Sequence, residues 1–347
     1  MKAWENNLRQ VVPYVPGEQP KDMQYIKLNT NESPFPPSAK AQEYAARAAE
    51  NLQLYSDPEC TPLVSEFAKL YGISTKNVIM TNGSDEILNF VFAAFCDEEH
   101  PAVFPDITYG FYEVYAKLHG ANYEKKPLCD DFTIKTEDYL DENGKLIVIA
   151  NPNAPTGIFK PLCEIERILK ANPDSVVLVD EAYIDFGGES ALKLLDSYKN
   201  LLVVRTYSKS RSLAGARLGF AFADKEIIAD LNKLKFSTNP YSINRLTLIA
   251  GEAALRNGKY YDDNAQKIIE TRQYVTAKLR EMGFEVIDSA ANFVLAGHDD
   301  ISGSLFAEEM KKRGILIRHF SGGRLEKYNR ITIGTQAEMD AFLFATE

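Results

Sequence analysis

Cysteine is scarce in this chain and poorly spaced for chemistry. Cys60, Cys96, Cys129 and Cys163 form no C-x-x-C pair, and disulfide scaffolds and zinc sites need closer or paired spacings. Reduced thiols acting as small, partly buried side chains are expected, in a reducing, cytoplasmic setting and with no metal site. Long apolar runs are missing as well. Stretches such as Phe90 to Cys96 are far too short to span a bilayer. The opening Met1-Lys2-Ala3-Trp4-Glu5-Asn6-Asn7 has no apolar segment of the signal-peptide kind, so none is expected. Basic runs are absent: Lys and Arg are spread along the chain, and the formal net charge is -10. Neither nucleic acid nor an anionic membrane is therefore an expected partner. A small anionic ligand stays open, because a few arginines focused in one cleft decide that locally.

What is present is the composition of an ordinary globular protein, 45% hydrophobic and 25% charged over 347 residues. That length accommodates one large domain and a smaller one. The first forty residues are irregular and rich in proline (Pro13, Pro16, Pro20, Pro34, Pro36, Pro37), which predicts an extended arm over residues 1–37. Residues 38–53 read as a helix. From residue 78 short apolar runs recur at 78–80, 102–104, 146–149, 176–179, 201–204 and 218–221, with helical stretches such as 84–95, 110–119 and 162–171 between several of them. Runs without polar alternation fit strands covered on both faces. The pattern predicts an α/β sandwich with a mainly parallel sheet over 38–240. Residues 241–282 read as long helices, and the tail as mixed strands and helices, so 241–347 is expected to form a smaller α+β domain after a polar joint at 235–242.

In sheets of this kind ligands bind at the carboxyl ends of the strands. Those ends carry Gly83-Ser84-Asp85 opening a helix, Asn151-Pro152-Asn153-Ala154-Pro155-Thr156-Gly157, Asp180-Glu181-Ala182-Tyr183, and Arg205-Thr206-Tyr207-Ser208-Lys209-Ser210 with Arg217 a little beyond. Taken singly, each has a plain reading as a cap, turn or solvated surface residue. Taken together they supply what pyridoxal phosphate requires. Lys209 offers the amine, Asp180 a carboxylate for the ring nitrogen and Tyr109 a ring to stack on. Gly83, Ser84 and Asp85 at a helix start, with Thr206, Ser208 and Arg217, offer a phosphate cup.

The run Ser208-Lys209, then Leu213-Ala214-Gly215-Ala216-Arg217-Leu218-Gly219, with Asp180-Glu181-Ala182-Tyr183 upstream, resembles the class I/II aminotransferases of pyridoxal-phosphate fold type I. Leu28-Asn29-Thr30-Asn31-Glu32-Ser33-Pro34, Tyr55 followed by Asp57-Pro58, and Arg330-Ile331-Thr332-Ile333-Gly334-Thr335 extend the likeness over nearly the whole chain, and it is strongest to the histidinol-phosphate aminotransferase family. The resemblance implies that Lys209 forms the internal aldimine and then carries the proton between substrate Cα and cofactor C4′. It implies that Asp180 pairs with the pyridinium and that Tyr183 sits near the phenolic oxygen. It makes Arg330 the clamp for a substrate carboxylate and places Tyr14, Asn31 and Arg318 at the substrate, Tyr14 and Arg318 near its distal phosphate. Tyr55 is expected to reach the cofactor phosphate of a second copy, making a homodimer. The implied reaction is a ping-pong transfer from L-histidinol phosphate to 2-oxoglutarate. A threonine-phosphate decarboxylase, an aromatic amino-acid aminotransferase and a catalytically silent binding protein of the same fold are the alternatives. One departure stands out: the family's usual Asn before Pro-Thr-Gly is Ala154 here. Either Asn153 or Asn151 supplies that amide to the phenolic oxygen, or Tyr183 makes the contact alone.

Overall fold

The structure, a computed structural model, describes residues 13–347; Met1–Asn7 and the rest of the first twelve residues of the expected arm lie outside them. Residues 13–37 run mostly without regular structure, broken by a short strand β1 (Ile26–Lys27). Helices α1 (Ala39–Ala48) and α2 (Thr61–Tyr71) follow, then β2 (Val78–Thr81), α3 (Ser84–Phe95), β3 (Ala102–Pro105), α4 (Phe111–His119), β4 (Tyr123–Lys126), β5 (Leu146–Ala150), α5 (Leu162–Ala171), β6 (Val177–Asp180), β7 (Leu201–Thr206), β8 (Gly219–Ala223) and α6 (Lys225–Thr238). The helix expected over 38–53 stops at Ala48 and tightens into a 3-10 turn ending at Asn51.

Strands β2 to β8 form one seven-stranded sheet in the order β2-β8-β7-β6-β5-β3-β4. The pairs among β3 to β7 are parallel, whereas β8 is antiparallel to both β7 and β2. The apolar run Leu146-Ile147-Val148-Ile149 becomes a central strand because both faces are covered. Helices α3, α4 and α6 pack on one face, and α2, α5 and α7 (Arg245–Arg256) on the other. In α5 the spacing Ile165, Ile168, Leu169 puts the buried residues on one side of the helix.

After α7 come α8 (Gly258–Glu281), β9 (Glu285–Ile287), β10 (Phe293–Gly297), α9 (Gly303–Lys312), β11 (Ile315–Leu316), β12 (Arg318–His319), β13 (Tyr328–Thr332) and α10 (Gln336–Thr346). Four of these strands make an antiparallel sheet, β12-β13-β10-β9, and β11 pairs in parallel with β1. The packing does not change at residue 240. Ala250 and Ala254 of α7 lie in the core under the large sheet, while Leu28, within the expected arm, lies in the core of the smaller one. The polar stretch at 235–242 has a joint's composition, but the apolar face of α7 carries the chain back to the large sheet before it leaves.

All four cysteines are free thiols, Cys60 and Cys96 buried and Cys163 exposed. Among the described residues no helix is long and apolar enough to cross a membrane, and no His/Cys/Asp/Glu cluster has metal-binding geometry.

Candidate active site

The parallel register brings the carboxyl ends of β5, β6 and β7 to one edge of the large sheet. Because β8 runs the other way, its start, just after Arg217, falls at that same edge. A cavity of about 340 Å³ opens there, with Thr30, Glu32, Asp85, Asp180, Lys209 and Arg217 among its lining residues. Ser84, Tyr109, Tyr183, Thr206 and Ser208 line it too. Most of the sequence-predicted cofactor residues thus meet in one place.

Asp180 ends β6 and is 6% exposed. Its Oδ2 accepts the Tyr112 hydroxyl at 2.8 Å and its Oδ1 the Ala182 N–H at 3.1 Å. Burial pushes the carboxyl up to about 6, against the pull of those two donors. Among the described residues no cation is bonded to it. A carboxylate held this way is poised for a positively charged ring nitrogen, which would remove the penalty of its burial.

The start of α3 lines the cavity as well, where a helix N-terminus could cradle an anion. Asp85 takes the Arg217 guanidinium at 2.9 Å on one oxygen and the Tyr109 hydroxyl at 3.0 Å on the other. Arg217 holds a left-handed φ of 58°, a conformation that costs energy outside glycine and is kept where surrounding contacts enforce it. Two glycines make room. A Cβ on Gly83 would come within 2.6 Å of the Arg217 Nη2, and one on Gly219 within 2.3 Å of the Ser84 backbone nitrogen. Gly219→Ala presses on backbone rather than on a mobile side chain. It is expected to cost about 1–3 kcal/mol of stability and to weaken cofactor retention; thermal unfolding and dialysis of the loaded protein check both.

Thr206 and Ser208 extend the cradle. The Thr206 hydroxyl accepts the Ser208 N–H and donates to the Ser208 Oγ, both at 3.0 Å, and both residues line the cavity. Lys209 is half-buried. Its Nζ donates to the Thr30 carbonyl at 3.3 Å and stands 5.6 Å from the Tyr183 ring centroid. Tyr183 in turn meets Phe293 edge-on at 5.0 Å.

Two arginines lie beyond Phe293. Arg330 packs its guanidinium over the rings of Phe293 at 5.3 Å and Phe320 at 5.6 Å, donates from Nη2 to the Asn29 carbonyl, and leaves its buried Nε without a partner. Arg318 packs over Phe320 from its own side at 5.6 Å. Its guanidinium holds the carbonyls of Val15 and Pro16. Tyr14 stacks on Phe111 at 4.2 Å and lies 6.2 Å from the Tyr109 ring, off the cavity wall. Tyr55 is 79% exposed, stacked on Tyr241 and remote from its own chain's cavity lining.

Asn153 and Asn151 do not enter the cavity, against the expectation for Asn153. The Asn153 amide is spent on the Ile107 carbonyl and the Thr156 hydroxyl, and its oxygen on Thr108. Asn151 is spent on the backbone of Lys160. Pro152 and Ala154, not the two asparagines between which they alternate, line the wall. Asn31 is also turned to internal partners: its amide donates to the Tyr183 hydroxyl at 2.9 Å and accepts from Thr332 at 3.1 Å. Sequence reasoning missed Tyr112, which holds Asp180, and the lining roles of Thr30 and Glu32. A tyrosine one helical position into α4 looks like core, and only its 68-residue separation from Asp180 in the fold reveals its task.

The donor set fits pyridoxal phosphate: an amine, a buried carboxylate with no bonded cation, an aromatic ring and a cradle where two glycines have no space for a Cβ. The chain belongs to the aminotransferase class I and II family, which it matches over residues 23–345. Relatives similar to it over their whole length are histidinol-phosphate aminotransferases. That of Clostridium acetobutylicum is 48% identical over 343 residues, covering 99% of this chain and 97% of its own. That of Clostridium beijerinckii is 47% identical over 344 residues, covering 99% and 96%. Among solved structures, histidinol-phosphate aminotransferase from Sinorhizobium meliloti in complex with pyridoxal-5'-phosphate is 26% identical with a TM-score of 0.85, covering 93% of this chain and 90% of that one. The large mostly parallel sheet between helices is accordingly that of fold type I.

Proposed function

We propose that this chain transfers the amino group of L-histidinol phosphate to 2-oxoglutarate, giving imidazole-acetol phosphate and glutamate in histidine biosynthesis, with pyridoxal phosphate held by Lys209. The observation that carries this reading is the convergence of Lys209 and the buried Asp180 on one cavity; outside its lining, Arg318 and Arg330 share the Phe320 ring. Near full-length identity to named histidinol-phosphate aminotransferases supports the choice of donor.

Pyridoxal phosphate supplies the aldehyde that takes up the amino group and a ring that draws electrons from the substrate Cα. Asp180 would pair with the ring nitrogen and favour its protonated form. Lys209 Nζ would carry the proton taken from the substrate Cα, as general base and then general acid. Arg217, Ser84, Ser208 and Thr206 would hold the cofactor phosphate. Arg330 receives a carboxylate on the Nε that lacks a partner. Arg318, with Tyr14 nearby in the arm, takes the distal anion, whether phosphate or the second carboxylate of glutamate.

Arg318→Ala should raise the KM for both L-histidinol phosphate and 2-oxoglutarate roughly 10- to 100-fold, the value of one charged hydrogen-bonding pair, with the cofactor still bound. Steady-state kinetics with each substrate measure it; unchanged constants for both would remove Arg318 from the anion site. The reaction itself is tested by an absorbance scan of the loaded protein with L-histidinol phosphate and no acceptor. Bleaching of the visible band, reversed by 2-oxoglutarate with glutamate formed, is the expected result. A band that only threonine phosphate disturbs, with release of carbon dioxide, would replace the transaminase by a decarboxylase.

A homodimer in the cytoplasm completes the proposal. Leu52, Leu54, Tyr55 and Tyr241 are exposed large side chains on neighbouring segments, a surface suited to a second copy, from which Tyr55 would reach the partner's phosphate cradle.

A further inference from the structure

Ala154 leaves the cavity wall without the amide that the resemblance leads one to expect, and neither neighbouring asparagine replaces it. An amide does act on this corner of the site, from another part of the chain. Asn31, 1% exposed, donates its Nδ2–H to the Tyr183 hydroxyl at 2.9 Å. Its orientation is set from behind. The Thr332 hydroxyl donates to the Asn31 Oδ1 at 3.1 Å and accepts the Asn31 backbone N–H at 3.0 Å. The Asn31 carbonyl accepts the Asn292 amide at 3.0 Å. The backbone at Asn31 is left-handed, φ 56°, a region asparagine tolerates better than most residues but still at a cost. A buried amide on a left-handed backbone, fixed through its oxygen and aimed at one hydroxyl, is the pattern of a residue placed for its effect on that hydroxyl.

We infer that Asn31 is a positioning residue that fixes the direction of the Tyr183 hydroxyl and, through it, the proton affinity of the Lys209 nitrogen when that nitrogen is joined to pyridoxal phosphate. The inference rests on the cofactor reading above and deepens it. A phenol has one proton and accepts on its lone pairs. Since Asn31 fills an accepting site on Tyr183, the single proton of Tyr183 is kept for another oxygen. In the loaded protein that oxygen is the cofactor's phenolic one, the group to which Ala154 can offer nothing. A donor on that oxygen draws off negative charge that otherwise holds the proton on the lysine nitrogen, so the nitrogen releases its proton at lower pH. Asn31 thereby does from one residue further out what an amide at position 154 would do directly.

The test is a pH titration of the visible absorbance of the loaded protein, in which lysine-bound cofactor reports the protonation of its own nitrogen. Asn31→Ala should move the midpoint up by roughly half a unit to one unit, the scale of one misdirected hydrogen bond. In a Tyr183→Phe background the same substitution should add no further shift, because the path runs through the hydroxyl. Ala154→Asn added to Asn31→Ala should bring the midpoint back down. Where the alanine variant does not hold cofactor, Asn31→Asp fills the same space and turns the bond round, so that Tyr183 donates to it; the midpoint should again rise. An unmoved midpoint in Asn31→Ala, or an equal rise with and without the Tyr183 hydroxyl, overturns the inference. So does a higher KM with an unmoved midpoint, which would make Asn31 a substrate contact. A wild-type protein that shows no visible band at all overturns the cofactor reading itself, and the two failures are told apart by that control.

Discussion

Lys209→Ala should stop turnover, a loss on the order of 10⁴-fold or about 5.5 kcal/mol of transition-state stabilisation, in a protein that remains folded. The two halves of this expectation have separate causes. Among the described residues Lys209 is the only amine on the cavity lining, so under the proposed function its removal takes away both the covalent tie to an aldehyde and the group that moves the Cα proton. Its structural commitments are slight: one 3.3 Å bond to the Thr30 carbonyl and a loose approach to the Tyr183 ring. Melting temperature should therefore stay near wild type. Borohydride reduction followed by mass spectrometry should mark wild type at Lys209 and leave the variant unmarked. Partial recovery of turnover with a small added amine would identify the missing function as proton transfer. Normal turnover in the variant would end the assignment of Lys209.

Asp180→Asn should separate stability from activity. Burial raises this carboxyl from its ordinary 3.8 to about 6, which corresponds to about 3 kcal/mol. A folded-state pKa above the unfolded value means that the favourable contribution is complete below pH 3.8 and is lost as the pH climbs through about 6. Above that range the cofactor-free protein carries a buried charge at full cost. The amide keeps an oxygen for the Ala182 N–H and a group for Tyr112, and it carries no charge. Cofactor-free Asp180→Asn should consequently melt higher than wild type at pH 7.5, by up to about 3 kcal/mol of stability, with the gap closing toward pH 4. Turnover should fall on the order of 10³-fold, since the ring nitrogen loses its partner. Melting curves of both cofactor-free proteins from pH 4.5 to 8 give the first result and single-turnover rates the second. Equal melting at pH 7.5 would mean that the carboxyl is not penalised by its surroundings; an active variant would mean that the ring nitrogen needs no anion.

Much of this was legible in the residues, and for an identifiable reason. The central strands announce themselves because a strand covered on both faces has no use for polar residues, as in Leu146 to Ile149. Lys209 and Asp180 follow such strands, where a charged group out of full contact with water stands out against the apolar run. The edge strand β4 escapes the same reading, because Glu124, Lys125 and Lys126 face water and the charged network around Glu113 and Glu142. Asn153 misleads by a single place: in a loop of alternating asparagine and small residues, spacing does not tell which residue faces the cavity. Tyr112 and Asn31 are bonded to partners 68 and 152 residues away, and no local pattern carries that information.

One feature of the fold bears on how the protein is made. Thr30 lines the cavity, and the segment that carries it is held by residues far along the chain: Ile26 and Lys27 pair with Ile315 and Leu316, the Thr332 N–H donates to the Leu28 carbonyl, and Asn31 is fastened by Asn292 and Thr332. On the ribosome the first thirty residues emerge long before those partners exist. The large sheet has all its strands once residue 223 is out, but the segment that carries Thr30 gains these partners only as residues 292–332 follow. A nascent chain therefore carries Lys209 and Asp180 on a nearly complete sheet before the segment that carries Thr30 is fastened beside them.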